Sequence, residues 1–218
     1  PPPFLPLMGS GLPYDPNCVA DNLNRPFTSD KFDLCTVAPR SGSGMPTLWL
    51  EGDSHAGHLQ GLIHELHRGL GMGIHLIETP GMEFPFSSPE RIFFGRQIIH
   101  DKILENAKPG DVIAVSRLYF QPPELIAFQP DINRWVAEVS LLGNILRERE
   151  LTLVVIGPAP AFSFEDIRAC NVNDLNSCSV SRATLETKVA QILEKLHRVT
   201  LEQENVFVFE YLDFLDYQ

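Results

Sequence analysis

The hydrophobic pattern along the chain changes character near residue 47. From there on, short continuous apolar runs alternate with longer stretches in which apolar residues recur every three or four positions. Residues 47–50, 74–77, 112–115, 151–156 and 206–209 are runs of the first kind. A strand covered on both faces reads as a continuous apolar run, whereas a half-exposed strand alternates. Residues 56–70, 92–106, 130–150 and 181–200 carry the helical period. In the first of these, Leu59, Leu62, Ile63, Leu66 and Leu70 fall on one side. Pro109-Gly110 stops the second, and Asp131 serves as an N-cap for the third. Five strands alternating with four amphipathic helices predict an α/β fold, a three-layer, doubly wound parallel sheet of the flavodoxin-like kind.

Residues 1–46 break that pattern with Pro1-Pro2-Pro3, Pro13, Pro16 and Ser41-Gly42-Ser43-Gly44. Such composition resists regular structure and predicts an irregular N-terminal extension, with the α/β domain spanning 47–218. The length of 218 residues suits one domain, and no run approaches the eighteen apolar residues that a membrane span needs. Seventeen basic against 28 acidic side chains leave a formal net charge of −11, so a phosphate backbone is repelled and nucleic acid is a poor partner. The chain opens on proline without an initiator Met or a signal peptide, and is expected to be cut from a longer one. Four cysteines, Cys18, Cys35, Cys170 and Cys178, form two close pairs. The local choice among three connectivities is Cys18–Cys35 with Cys170–Cys178, which implies an oxidising compartment; four free thiols are the alternative.

In an open α/β sheet, ligands bind beyond the carboxyl ends of the strands. The first strand ends in Glu51-Gly52-Asp53-Ser54-His55-Ala56. Gly52 permits an unusual backbone angle there, and the following helix aims its free N–H groups at whatever Ser54 holds. That geometry stabilises an acyl-transfer oxyanion. The alternative is that Ser54 only caps its helix.

The segment Leu50-Glu51-Gly52-Asp53-Ser54-His55-Ala56 resembles the G-D-S block of SGNH hydrolases, and G-D-S-H-A before an apolar helix resembles the extracytoplasmic SGNH domain fused behind bacterial membrane acyltransferases. The resemblance covers roughly residues 47–210. It implies Ser54 as the nucleophile, Asp53 holding its turn, and an oxyanion N–H from Gly81 in Glu78-Thr79-Pro80-Gly81. Where typical SGNH hydrolases carry an Asn, this chain has Val115-Ser116-Arg117, and Arg117 matches the membrane-acyltransferase branch. A guanidinium at that strand end can donate to an oxyanion or a sugar oxygen, or pair structurally with Asp53 or Glu51. The resemblance further implies transfer of an acyl group, commonly acetyl, to carbohydrate of the cell envelope or extracellular polysaccharide. The domain would lie on the periplasmic side of the inner membrane, tethered to a membrane acyltransferase domain in the parent chain. No cofactor is implied.

One block departs from the family. Its catalytic Asp and His come as D-x-x-H after the last strand, but no histidine follows His197 here, and Asp213 and Asp216 are not assigned as the catalytic acid. Since a serine hydroxyl needs a base to be a useful nucleophile, either the domain is truncated before that block or it is a non-catalytic module that binds and guides a glycan. A flavodoxin-like regulatory domain ranks last, because only Asp53 and Glu78 supply acids at the strand ends.

The remaining histidines point elsewhere. His55 and His58 project nearly opposite to His64 and His67 on one helix, so the four cannot share a metal. One pair with outside ligands is left open, and no metal site is assigned. His75 reads as strand packing, while His100 and His197 belong to helices. Gly69-Leu70-Gly71-Met72-Gly73 reads as a helix stop, because a phosphate loop needs the order strand, loop, helix. Tyr119 and Phe120 either stack on a sugar or cover the core.

Overall fold

The computed structural model describes residues 18–20, 27–82, 84–85, 94–120, 132–159 and 181–211. Helix α1 (Ser29–Leu34) and the short strand β1 (Thr36–Val37) come first. They are followed by β2 (Thr47–Gly52), α2 (Ser54–His58), α3 (Gln60–Leu70) and β3 (Gly73–Leu76). The second half runs α4 (Phe94–Asn106), β4 (Val112–Ser116), α5 (Ile132–Arg147), β5 (Thr152–Ile156), α6 (Arg182–Glu202) and β6 (Val206–Phe209).

The strands form one six-stranded sheet in the order β1-β3-β2-β4-β5-β6. All neighbours run parallel except β1, which lies antiparallel along β3. The five expected strands are therefore all present, and the fold is the predicted doubly wound α/β sheet. Its chain steps from β2 outward to β3, then back across to β4. That reversal opens a crevice at the carboxyl ends of β2 and β4.

Each face has its own core. One side gathers Trp49, Ile113, Val115, Leu153, Val155 and Val206 from the sheet against Ile99 and Ile103 of α4, Trp135, Val139 and Leu142 of α5, and Leu196 of α6. The opposite side packs Leu48, Leu50, Ile74, Leu76 and Ala114 under Ala56, Leu59 and Ile63. The predicted first helix is divided at Leu59, where the chain takes a tight turn between α2 and α3. Its apolar stripe is also narrower than the sequence suggested, since Ile63 is buried while Leu62 and Leu70 are exposed. Gly71 ends α3 in the left-handed conformation, the expected helix stop.

The N-terminal region is more ordered than its composition implied. Within residues 1–46, α1 and β1 are regular, and Phe32 lies in the main core with Cys18, Ala20 and Cys35. Cys18 and Cys35 form a disulfide, as the local pairing anticipated. It joins two segments that cover the outer edge of β3. Val37 pairs with Ile74, and Val19 bridges to Glu78. Covering an edge satisfies backbone groups that would otherwise recruit another strand. Cys170, Cys178 and the proposed cap Asp131 lie outside the described residues.

Candidate active site

The Gly-Asp-Ser turn is built by close backbone approach. Gly52 pairs with Ser116 across β2 and β4, and a Cβ on Gly52 would stand 1.9 Å from the Ser116 carbonyl oxygen. The backbone continues into Asp53, whose extended conformation ends the strand and opens α2. Asp53, not Ser54, is the N-cap. Its Oδ1 accepts the His55 N–H at 2.8 Å, and its Oδ2 accepts the Leu118 N–H at 2.8 Å. One carboxylate thus fastens the turn after β2 to the chain leaving β4, across the crevice. Ser54 becomes the first helical residue, half-buried, with its hydroxyl not spent on capping. Among the described residues no side chain hydrogen bonds Ser54 Oγ.

Burial favours the neutral form of Asp53, but the His55 ring 3.6 Å from Oδ1 and the N–H groups of Leu118 and His55 outweigh it, holding the carboxyl below its ordinary value. A carboxylate with a depressed folded pKa contributes stability above its unfolded pKa and loses it as pH falls through the folded value. Asp53→Asn is therefore expected to cost about 1–3 kcal/mol at pH 7 and progressively less below about pH 4. Urea unfolding at pH 7 and pH 3 checks this; an equal loss at both would contradict it.

The loop after β3 is tied to the same turn. Thr79 is fully buried, and both its N–H (3.3 Å) and its hydroxyl (2.9 Å) face the Gly52 carbonyl oxygen. The Met82 N–H returns to the Thr79 carbonyl at 2.9 Å, closing a four-residue turn in which Gly81 has φ +69°. A type II turn requires that left-handed angle at its third residue, which explains glycine there. The turn bond is made by Met82, so the Gly81 N–H is not engaged in it. Gly81→Val is expected to slow any Ser54 chemistry by up to roughly 10²-fold and to cost about 1–3 kcal/mol of stability. Its backbone angle is strained for valine, though the space around it is open. Parallel rate and melting measurements check this.

Arg117 follows β4 and is buried. Its Nε–H donates to the Leu118 carbonyl at 3.2 Å, and its guanidinium carbon lies 4.9 Å from the Trp135 ring and 5.7 Å from that of Tyr119. Tyr119 itself donates its hydroxyl to the Ile156 carbonyl at 2.7 Å and packs against the main core. Tyr119 thus takes the core-covering alternative.

Three buried polar groups lie behind the turn, of which the sequence pointed only to Glu51, as a partner for Arg117. Glu51 is 0% exposed and its Oε1 lies 2.9 Å from His100 Nδ1. Arg96, 3% exposed, has no hydrogen-bond partner among the described residues and stacks 4.8 Å over the Phe84 ring. Burial lowers its pKa to about 10, against the pull of Glu51 and Asp53. Arg96 and His100 are four residues apart and flank Ile99, with Ile103 one turn on. That spacing on an apolar helix face was the available signal for burial. The other histidines serve locally: the His55 and His58 rings meet at a tilt with centroids 4.9 Å apart, and His67 Nδ1 meets the Met72 carbonyl at 2.6 Å. Among the described residues, no three His, Cys, Asp or Glu side chains gather as metal ligands.

A parallel sheet in this order, with a Gly-Asp-Ser turn at its crevice and a left-handed glycine on the adjoining loop, is an SGNH-type scaffold. Residues 17–215 match the SGNH domain family described as fused to AT3 domains, and the chain belongs to that family. The family is of the hydrolase and acyl-transfer type. No curated protein and no solved structure matches the chain.

Proposed function

We propose that this domain carries out serine-dependent acyl transfer to or from carbohydrate, the acyl group being acetyl. Ser54 Oγ would attack the donor carbonyl as a base from outside the described residues takes its proton. The N–H groups of Ser54 and Gly81, with Arg117, would receive the oxyanion. Its collapse would break the bond from the acyl carbon to the donor's leaving group, which departs with that proton. A sugar hydroxyl or water would then take the acyl group from Ser54. The observation that carries this reading is that Asp53 caps α2 and leaves the Ser54 hydroxyl unspent at the crevice. Membership of a family fused to AT3 domains supports a membrane acyltransferase domain in the parent chain and a membrane-associated setting. Among the described residues, no helix is long and apolar enough to cross a membrane. The Cys18–Cys35 disulfide supports an oxidising, extracytoplasmic location such as the periplasmic face. Polysaccharide of the envelope is the acceptor that setting offers.

The reading needs a base, and the described residues bring none to Ser54 Oγ. That observation favours a second reading, a glycan-binding module that guides its ligand to a partner domain. Intact-mass analysis after fluorophosphonate treatment separates the two. An adduct on the chain or its full-length parent, lost in Ser54→Ala, is expected from the enzyme. No adduct on either, with retained glycan binding, is the outcome of the module.

A further inference from the structure

Trp135 of α5 is buried to 0% exposure, yet it touches both outlying parts of the proposed site. Its Nε1–H donates to the Phe84 carbonyl at 3.2 Å, and Phe84 lies three residues after Gly81. The face of the same indole lies under the Arg117 guanidinium, 4.9 Å away, and Tyr119 meets it edge-on at 5.6 Å. Phe84 is fixed from its other side by α4, where Arg96 lies 4.8 Å over its ring and the His100 ring is 4.7 Å away. The loop carrying Gly81 is therefore fastened at one end by Thr79 to Gly52, and at the other by an indole that also supports Arg117.

We propose that Trp135 is a positioning residue that sets the Gly81 loop and Arg117 relative to one another. This rests on the acyl-transfer reading for its chemical consequence, but not for its geometry. Packing alone would be served by Phe, whose ring fills most of the same volume. The indole adds a donor aimed at the loop backbone and a larger π face for the guanidinium, and a cation over indole is favoured over the same cation on phenyl. A buried carbonyl deprived of its donor seeks another partner, so the loop is expected to shift when the N–H is removed.

The test is Trp135→Phe in ¹⁵N-labelled protein. The Gly81 amide and Arg117 Nε–H signals are both expected to move, while those of β5 and β6 stay in place. A lower Tm with both signals unmoved would reduce Trp135 to core packing and overturn the proposal. In the full-length protein, kcat for acetyl-ester turnover is expected to fall roughly 10- to 100-fold, the scale of a misplacement near 1 Å, with KM little changed. If unaltered protein shows no Ser54-dependent turnover, the acyl-transfer reading fails while the spectra still decide the positioning claim. If the variant does not fold, hydrogen exchange on unaltered chain decides. Trp135 Nε1–H and the Met82 N–H are expected to exchange together, as one loop, and a protected indole beside a freely exchanging Met82 would overturn the proposal.

Discussion

Gly52→Ala is expected to disrupt the site more than any other single-methyl change, by destabilising the domain about 3–5 kcal/mol. The new Cβ would lie 1.9 Å from the Ser116 carbonyl oxygen and 2.9 Å from its carbon. Both are backbone atoms of β4 and cannot rotate away. Relief requires β2 and β4 to separate where Asp53 Oδ2 reaches the Leu118 N–H, so the clash and the loss of that 2.8 Å bond occur together. The residue also has φ +155°, which side chains rarely adopt. A loss of that size is a large share of the roughly 5–15 kcal/mol that holds a domain folded. Urea unfolding with near-ultraviolet circular dichroism measures it. A midpoint within error of the parent's would refute the close-approach account. Gly81→Ala is the matched control, because nothing lies within 4 Å of a Cβ there.

The strands were legible because burial on both faces writes a continuous apolar run, and Thr47–Gly52 is buried throughout. The Gly-Asp-Ser turn was legible for another reason: a glycine between strand and helix permits a backbone angle that other residues avoid, whereas its close approach to the Ser116 carbonyl was not foreseen. Which neighbour caps the helix was not legible. Ser54 and Asp53 are both good capping residues, and the choice falls to Asp53 because Leu118, 65 positions away in sequence, supplies a second N–H. The edge elements were hidden differently. Helix α1 has six residues and one buried side chain, Phe32, too little for a periodic signal. Its order comes from the Thr28 cap, whose hydroxyl accepts the Lys31 N–H at 3.3 Å, together with the Cys18–Cys35 bond and the neighbouring β3. Arg96, and the pairing of Glu51 with His100 in place of Arg117, were missed because charged residues normally mark solvent-facing positions. Inside this fold the three side chains gather beneath the Gly-Asp-Ser turn.

His75 is expected to make the domain acid-labile above the range where carboxylates titrate. The ring is 0% exposed and lies between Phe32 at 4.5 Å and Trp49 at 5.3 Å. Thr36 Oγ1 donates to the Phe32 carbonyl at 2.7 Å, so it accepts from His75, and the proton of the neutral ring sits on Nδ1. That leaves Nε2 to take any second proton. Burial opposes the added charge, and the nearby Arg96 guanidinium opposes it further, lowering the pKa from 6.5 to about 3. Between those values the unfolded chain carries a proton that the folded one refuses, so stability rises with pH and falls on acidification. At about 1.4 kcal/mol per pH unit, His75 alone is expected to remove about 3 kcal/mol between pH 6.5 and pH 4. His75→Gln retains a donor for Thr36 and does not titrate. Its unfolding free energy is expected to start lower at pH 7 and to fall less steeply toward pH 4. Parallel curves for the two proteins would show that His75 carries none of the acid dependence. Convergence would mean that the acid dependence originates at the seam between β1 and β3, where His75 pairs with Thr36.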